Sequence, residues 1–168
     1  MRHAKAAAAA PFESDFQRCL TADGQRVATE TGIALRDCGI HIDRVIASAA
    51  VRTCQTADLV TAAMVLAPER LDFDELYLAP AQKFEATLCE HTFEDESSVL
   101  VVGHNPGIAS LMGRWTDRIA AVSPGTVAVF ESSADTWQDV RKIHVHIPEL
   151  VCLLQDGKIA WRRDKANP

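Results

Sequence analysis

Val99-Leu100-Val101-Val102 places four aliphatic side chains in a row between Ser97-Ser98 and Gly103. An unbroken apolar run of that length predicts a strand covered on both faces. Asp43 to Ser48, around Val45-Ile46-Ala47, repeats the pattern. Helical spacing separates these runs. Thr21 to Gly24 reads as a helix entrance, Val27, Ala28, Ile33, Ala34 and Leu35 supply an apolar face to about Cys38, and Gly39 ends it. A second helix is predicted from Ala49 to about Val65, stopped by Pro68. A third runs from Pro80 to about His91 with Phe84 and Leu88 on one face, and a fourth from Pro106 to Trp115. Leu71 to Phe73, Thr126 to Glu131 and Val140 to Ile147 read as further strands. Asp156-Gly157 turns a hairpin between Val151–Leu154 and Lys158–Trp161. Strands alternating with helices predict one domain over residues 1–168, a three-layer α/β/α sandwich with a mostly parallel sheet.

Composition narrows the partners. A chain of 168 residues suits one domain with a real core. Its net charge of -6 argues against general nucleic-acid binding. Apolar stretches break well short of a membrane span. Arg2 and Lys5 precede Ala6–Ala10, but Pro11, Glu13 and Asp15 follow at once, so the start does not read as a secretory signal and a cytoplasmic location is expected. Five cysteines, irregularly spaced and without a CxxC pair, fit reduced thiols. Cys89-Glu90-His91 lacks a matching second pair and reads as helix with one buried thiol rather than a metal fragment. No metal and no cofactor are expected.

Candidate chemistry lies at strand ends, where open α/β sheets collect their sites. Three of them carry cationic or imidazole groups: Arg2-His3, the segment Ser48–Ala57 with Arg52 in the first turn of a helix, and His104 after Gly103. A phosphoryl group spreads charge over three oxygens. Arginine forks match that geometry, and helix N-terminal amides add to it. Taken singly, a histidine beside a glycine is more often structural, and Arg18 or Arg52 alone would be a surface helix residue.

Five motifs in order change that balance. Arg2-His3-Ala4-Lys5, Asp15-x-x-Arg18-x-Leu20-Thr21-x-x-Gly24, Ser48-x-Ala50-x-Arg52-Thr53-x-x-Thr56-Ala57, Leu76-Tyr77-Leu78-Ala79 and Val102-Gly103-His104-Asn105-Pro106-Gly107 together resemble the histidine phosphatase superfamily, and within it the SixA-type phosphohistidine phosphatases. The resemblance covers Met1 to about Glu131. It implies that His3 attacks phosphorus and carries it as a covalent phosphohistidine. It implies that Arg2, Arg18, Arg52 and His104 bind the phosphoryl oxygens. Expected partners are a phosphorylated protein or small phosphorylated substrate, and inorganic phosphate. His41, His91, His144 and His146 match no motif and read as surface or strand residues. Trp115, Trp137 and Trp161 read as packing or rim, Ser48 as an anchor of the Arg52 loop or a plain turn residue, and Tyr77 as pocket lining or packing.

Two departures from the resembled pattern bear on function. Many members place a carboxylic acid just after the counterpart of Leu76-Tyr77, to protonate an ester leaving oxygen. Leu78 stands there here, with Asp74 and Glu75 as candidate substitutes. Without such an acid the chemistry favours a phosphoramidate nitrogen over an alkoxide. The resembled fold also has a hydrophobic central strand before Arg-His, whereas only Met1 precedes Arg2. The first central strand is therefore expected to be missing or truncated. If it is missing, His3 is expected on a frayed terminus. A start further upstream and a domain without the strand both remain open. The rival functions are a non-catalytic phosphate- or phosphoprotein-binding module that lost this strand, and a broad small-molecule phosphomonoesterase.

Overall fold

A computed structural model describes residues 1–141 and 145–163. The elements run α1 (Ala22–Asp37), β1 (Arg44–Ser48), α2 (Val51–Ala63), β2 (Glu69–Phe73), α3 (Ala81–Glu90), β3 (Val99–Val102), α4 (Gly107–Trp115), β4 (Val127–Glu131), β5 (Glu149–Gln155) and β6 (Lys158–Arg162). The order β2-β1-β3 forms a parallel sheet, and β4-β5-β6 an antiparallel one.

Alternation along β1 sorts its side chains into two layers. Val45 and Ala47 enter one apolar cluster with Ala28, Leu35, Ala57 and Val60 of α1 and α2. Ile46 enters a second with Phe84, Leu88, Ile108 and Met112 of α3 and α4. β3 divides likewise, with Leu100 and Val102 in the first cluster and Val99 and Val101 packed on the second. Both β1 and β3 are thus covered on both faces, as their uninterrupted apolar runs predict.

Met1–His3 lies between the two sheets. The Met1 amine donates to Val101 O at 2.7 Å, and Gly103 N donates to Met1 O at 3.1 Å. Arg2 forms a parallel bridge with Gly103, and its N–H donates to Thr126 O at 3.0 Å. His3 N donates to Gly103 O at 3.0 Å, and His3 O accepts from Gly125 N at 3.0 Å. Three residues therefore occupy the central strand position, which is truncated rather than missing. The expected fraying does not occur, because both sides of the segment find ladder partners and Met1 and His3 are buried. Below Met1 a cleft of about 660 Å³, lined in part by Val99, Val101, Val127, Val129 and Phe130, separates β3 from β4.

The strand predicted over Val140–Ile147 is not observed among the described residues, and 142–144 lie outside them. Trp137–Arg141 forms a 3-10 turn instead. Trp137 Nε1 donates to Glu96 O at 2.6 Å and Gln138 Nε2 to Cys89 O at 3.2 Å, while Val140 is buried against the α3–α4 layer. Val145 and Ile147 are exposed, so the apolar alternation there has no sheet face to bury. The predicted hairpin is β5–β6, with Asp156 and Gly157 both at positive φ in its turn.

Candidate active site

Every candidate side chain is carried by the end of a short, well-anchored segment. His3 ends the central segment, and its neighbour Ala4 donates its N–H to Thr56 Oγ1 of α2 at 3.1 Å. His104 follows β3 across Gly103, where a side chain would collide with the Phe84 ring. Ser48 ends β1. Arg52 stands in the first turn of α2, 2% exposed.

These groups converge. The His3 and His104 rings lie 5.1 Å apart. Nδ1 of His3 is 2.7 Å from Ala4 O, an atom that can only accept, so Nδ1 carries the proton. Nε2 accepts from Arg52 Nε at 3.2 Å, so it is the unprotonated ring nitrogen, and its lone pair is engaged by that guanidinium. Burial lowers the His3 pKa to about 4, and the charges of Arg52, Arg2 and Arg18 push it the same way, against the bond to Ala4 O. Near neutral pH His3 is an uncharged imidazole whose Nε2 faces a guanidinium.

His104 is 1% exposed. Its Nε2 lies 2.9 Å from Ser48 Oγ, which also accepts from Ala50 N at 3.4 Å. Ser48 can donate its hydroxyl proton to that bond, leaving a buried N–H on His104 Nδ1, which has no partner among the described residues. Burial first, then His3 and Arg52, lower the His104 pKa to about 3. Arg2 Nη1 donates to Val122 O at 2.8 Å, and Asn105 Nδ2 donates to the same oxygen at 3.0 Å. Among the described residues, the Arg2 Nε donor is buried without a partner, as is the Asn105 Oδ1 acceptor, which offers an anion nothing. Unmet donors around an uncharged histidine are unusual in a folded interior, and they suit an oxyanion.

Comparison with known proteins then decides the family. No protein-family model matches the chain. A solved structure from Nakamurella multipartitia, described as a candidate phosphohistidine phosphatase SixA, is 31% identical, superposes with a TM-score of 0.76, and the match covers 92% of each chain. The chain belongs to the histidine phosphatase superfamily. A second such structure, from Agrobacterium tumefaciens, is 25% identical over 92% of this chain and 94% of its own, also at 0.76. The protein histidine phosphatase SixA complexed with tungstate shares the fold at 0.76 and 23% identity, over 93% of this chain and 94% of its own.

Within this superfamily member, His3 meets Arg52 by a hydrogen bond and His104 by a ring contact, while Arg2 acts on both histidines through its charge. Arg18 reaches them through Asp15. Its Nε donates to Asp15 Oδ1 at 2.8 Å and its Nη1 to Ala7 O at 2.8 Å. Glu75 is drawn to Lys83 Nζ at 2.6 Å, and Asp74 shares its 3-10 turn. Neither contacts His3, Arg52 or His104 in any hydrogen bond or ion pair among the described residues. Leu78 is half exposed at φ 51°, the left-handed region.

Sequence reasoning missed Asp15, to which it gave no role. Its Oδ2 accepts from Arg52 Nη2 at 2.9 Å and from the Tyr77 hydroxyl, and its carbonyl accepts from Arg52 Nη1 at 2.6 Å. The Tyr77 hydroxyl bond foremost, with the bonds and charges of Arg18 and Arg52, holds the Asp15 carboxyl far below its ordinary range. Tyr77 also stands edge-on to His104, with ring centroids 5.3 Å apart, and so belongs to the pocket wall. The signal available was that Asp15 opens the motif containing Arg18.

Proposed function

We propose that this protein is a cytoplasmic phosphohistidine phosphatase acting on a phosphorylated protein, through a covalent phosphoryl intermediate on His3. The observation that carries the reading is the uncharged His3, its Nε2 lone pair aimed at Arg52 and its surroundings supplied by Arg2, Arg18 and His104. In the first step Nε2 bonds to phosphorus as the P–N bond to the substrate imidazole breaks. The departing nitrogen keeps the electron pair and takes a proton from solvent. In the second, water attacks phospho-His3, inorganic phosphate leaves, and Nε2 regains its lone pair. Arg2, Arg18, Arg52 and the Nδ1–H of His104 hold the phosphoryl oxygens and offset their growing charge, so the residues themselves supply the positive field.

The leaving-group side favours nitrogen over oxygen. Leu78 offers no proton, Glu75 is engaged by Lys83, and Asp15 is held ionised. An alkoxide would depart without help, whereas a phosphoramidate nitrogen needs little. Against the non-catalytic alternative stands the His3 segment, hydrogen-bonded on both sides rather than frayed. The test is turnover of a phosphohistidine-bearing protein beside an alkyl phosphate ester. We expect the phosphohistidine kcat/KM to be larger by orders of magnitude. Equal or faster ester turnover would replace this reading with the small-molecule phosphomonoesterase, and phosphate binding with no turnover of either would replace it with the binding module.

A further inference from the structure

We propose that Asp15 is a specificity-determining residue that occupies the arginines of the phosphoryl site and must be displaced when a phosphoryl group enters. The inference rests on the reading of the site given above. Both carboxylate oxygens are engaged: Oδ1 by Arg18 Nε and Nη2, the latter at 2.6 Å, and Oδ2 by Arg52 Nη2 and the Tyr77 hydroxyl. A carboxylate is the side-chain group closest in charge and bite to one edge of a phosphoryl group, and guanidinium forks accept either. An entering phosphoryl dianion therefore meets donors already filled and a like charge beside them.

Displacement is feasible because Asp15, although held at both oxygens, opens to solvent. Its side chain is 48% exposed, although Arg52 beneath it is 2% exposed. It lies on a loop whose base is closed by the Ala6–Leu20 bridge and the Ala7 N to Cys19 O bond at 2.9 Å. The intervening residues Ala8 to Phe12 are exposed. Asp15 can thus swing outward while the base stays paired. Once released it is an ionised acceptor at the mouth, where it favours substrates bearing an N–H or a positive charge beside the phosphorus. A phosphoimidazole gains both when its second ring nitrogen is protonated, and a simple aryl phosphate does not.

The test uses the full chain, with tungstate binding by calorimetry and kcat/KM for a phosphohistidine peptide and for p-nitrophenyl phosphate. Asp15→Asn should bind tungstate about tenfold more tightly, the scale of removing one neighbouring like charge. It should also lower KM for the aryl ester more than it changes kcat, so that the preference for phosphohistidine shrinks. Asp15→Glu, which keeps the charge, should stay near wild type. Should Asp15→Asn fail to fold, Tyr77→Phe removes one hold on the carboxylate and should tighten tungstate binding to a smaller extent. Unchanged or weaker binding by the variant, with wild-type binding intact, overturns the role of Asp15 alone. A wild type that binds no tungstate removes the phosphoryl site itself, and this inference with it.

Discussion

The β1–α2 unit buries an arginine at each end, and the two ends behave differently. At the amino end of β1, Arg44 is 1% exposed. Its Nε donates to both Glu96 oxygens at 2.7 Å, its Nη2 donates to Glu69 at 3.0 Å, and the Phe93 ring lies 4.8 Å from its guanidinium carbon. The Glu96 side chain is only 12% exposed, so this charge is neutralised inside the fold. At the other end Arg52 is equally buried, but its counter-ion Asp15 is half exposed and its Nε is turned onto a histidine lone pair. Around it, Arg2 Nε and His104 Nδ1 lack partners among the described residues. Burial alone does not separate a structural arginine from a functional one. The partners do, because Arg44 faces two carboxylates, one of them nearly buried, whereas Arg52 gives its donors to a neutral imidazole, a carbonyl and one half-exposed carboxylate, and so keeps affinity for an anion from outside.

Substitution at each end should expose that contrast. Arg44→Ala leaves Glu96 nearly buried without its cation, and should cost about 3–5 kcal/mol of stability in urea unfolding. Activity per folded molecule should hold within about twofold. Arg52→Ala should act in the opposite sense. It should lower kcat/KM by about 10²–10³-fold, as loss of a transition-state donor does, and shift stability by about 1 kcal/mol, since its carboxylate partner is solvated. If both variants lost stability and activity together, the two ends would not be distinct.

pH sharpens the same comparison. The His3 pKa of about 4 predicts kcat/KM flat from pH 7 to about 5 and falling near 4, not near the ordinary imidazole value of 6.5. The unfolded chain takes up protons below 6.5 that the folded His3 and His104 refuse. The stability contributed by these two histidines should therefore decline as pH drops from about 6.5 toward 3, the range set by their depressed values. His104→Asn should flatten that slope. The smallest effect is expected on the leaving-group side. Asp74→Asn and Glu75→Gln should each leave phosphohistidine turnover within about twofold, because neither contacts the site.

Much of this was legible in the sequence. The β1 and β3 runs lie in the predicted places because unbroken apolar stretches have few alternatives once helices cover both faces. His3, Arg52 and His104 were legible because each follows directly from a strand end. Asp15 was not, since its partners Arg52 and Tyr77 lie 37 and 62 residues away and meet it only after the loop folds over the site. The Ser48 hydroxyl bonded to His104 Nε2 was hidden for the same reason, at a separation of 56. Residues around Val140 misled because apolar alternation reads as strand wherever it occurs, while among the described residues a 3-10 turn buries Val140 and leaves Val145 and Ile147 exposed. The short Met1–His3 segment was legible as a truncated strand, but its pairing with Gly103, Gly125 and Thr126 was not, because those partners lie far along the chain.

The central claim concerns one nitrogen atom, His3 Nε2. Brief exposure of the wild-type protein and His3→Ala to phosphoramidate labelled in its phosphoryl group, followed by denaturing quench, tests it directly. The account predicts an acid-labile, base-stable label on His3 of the wild type and none on the variant. Equal labelling of the two proteins, or label mapped to another residue, would contradict it.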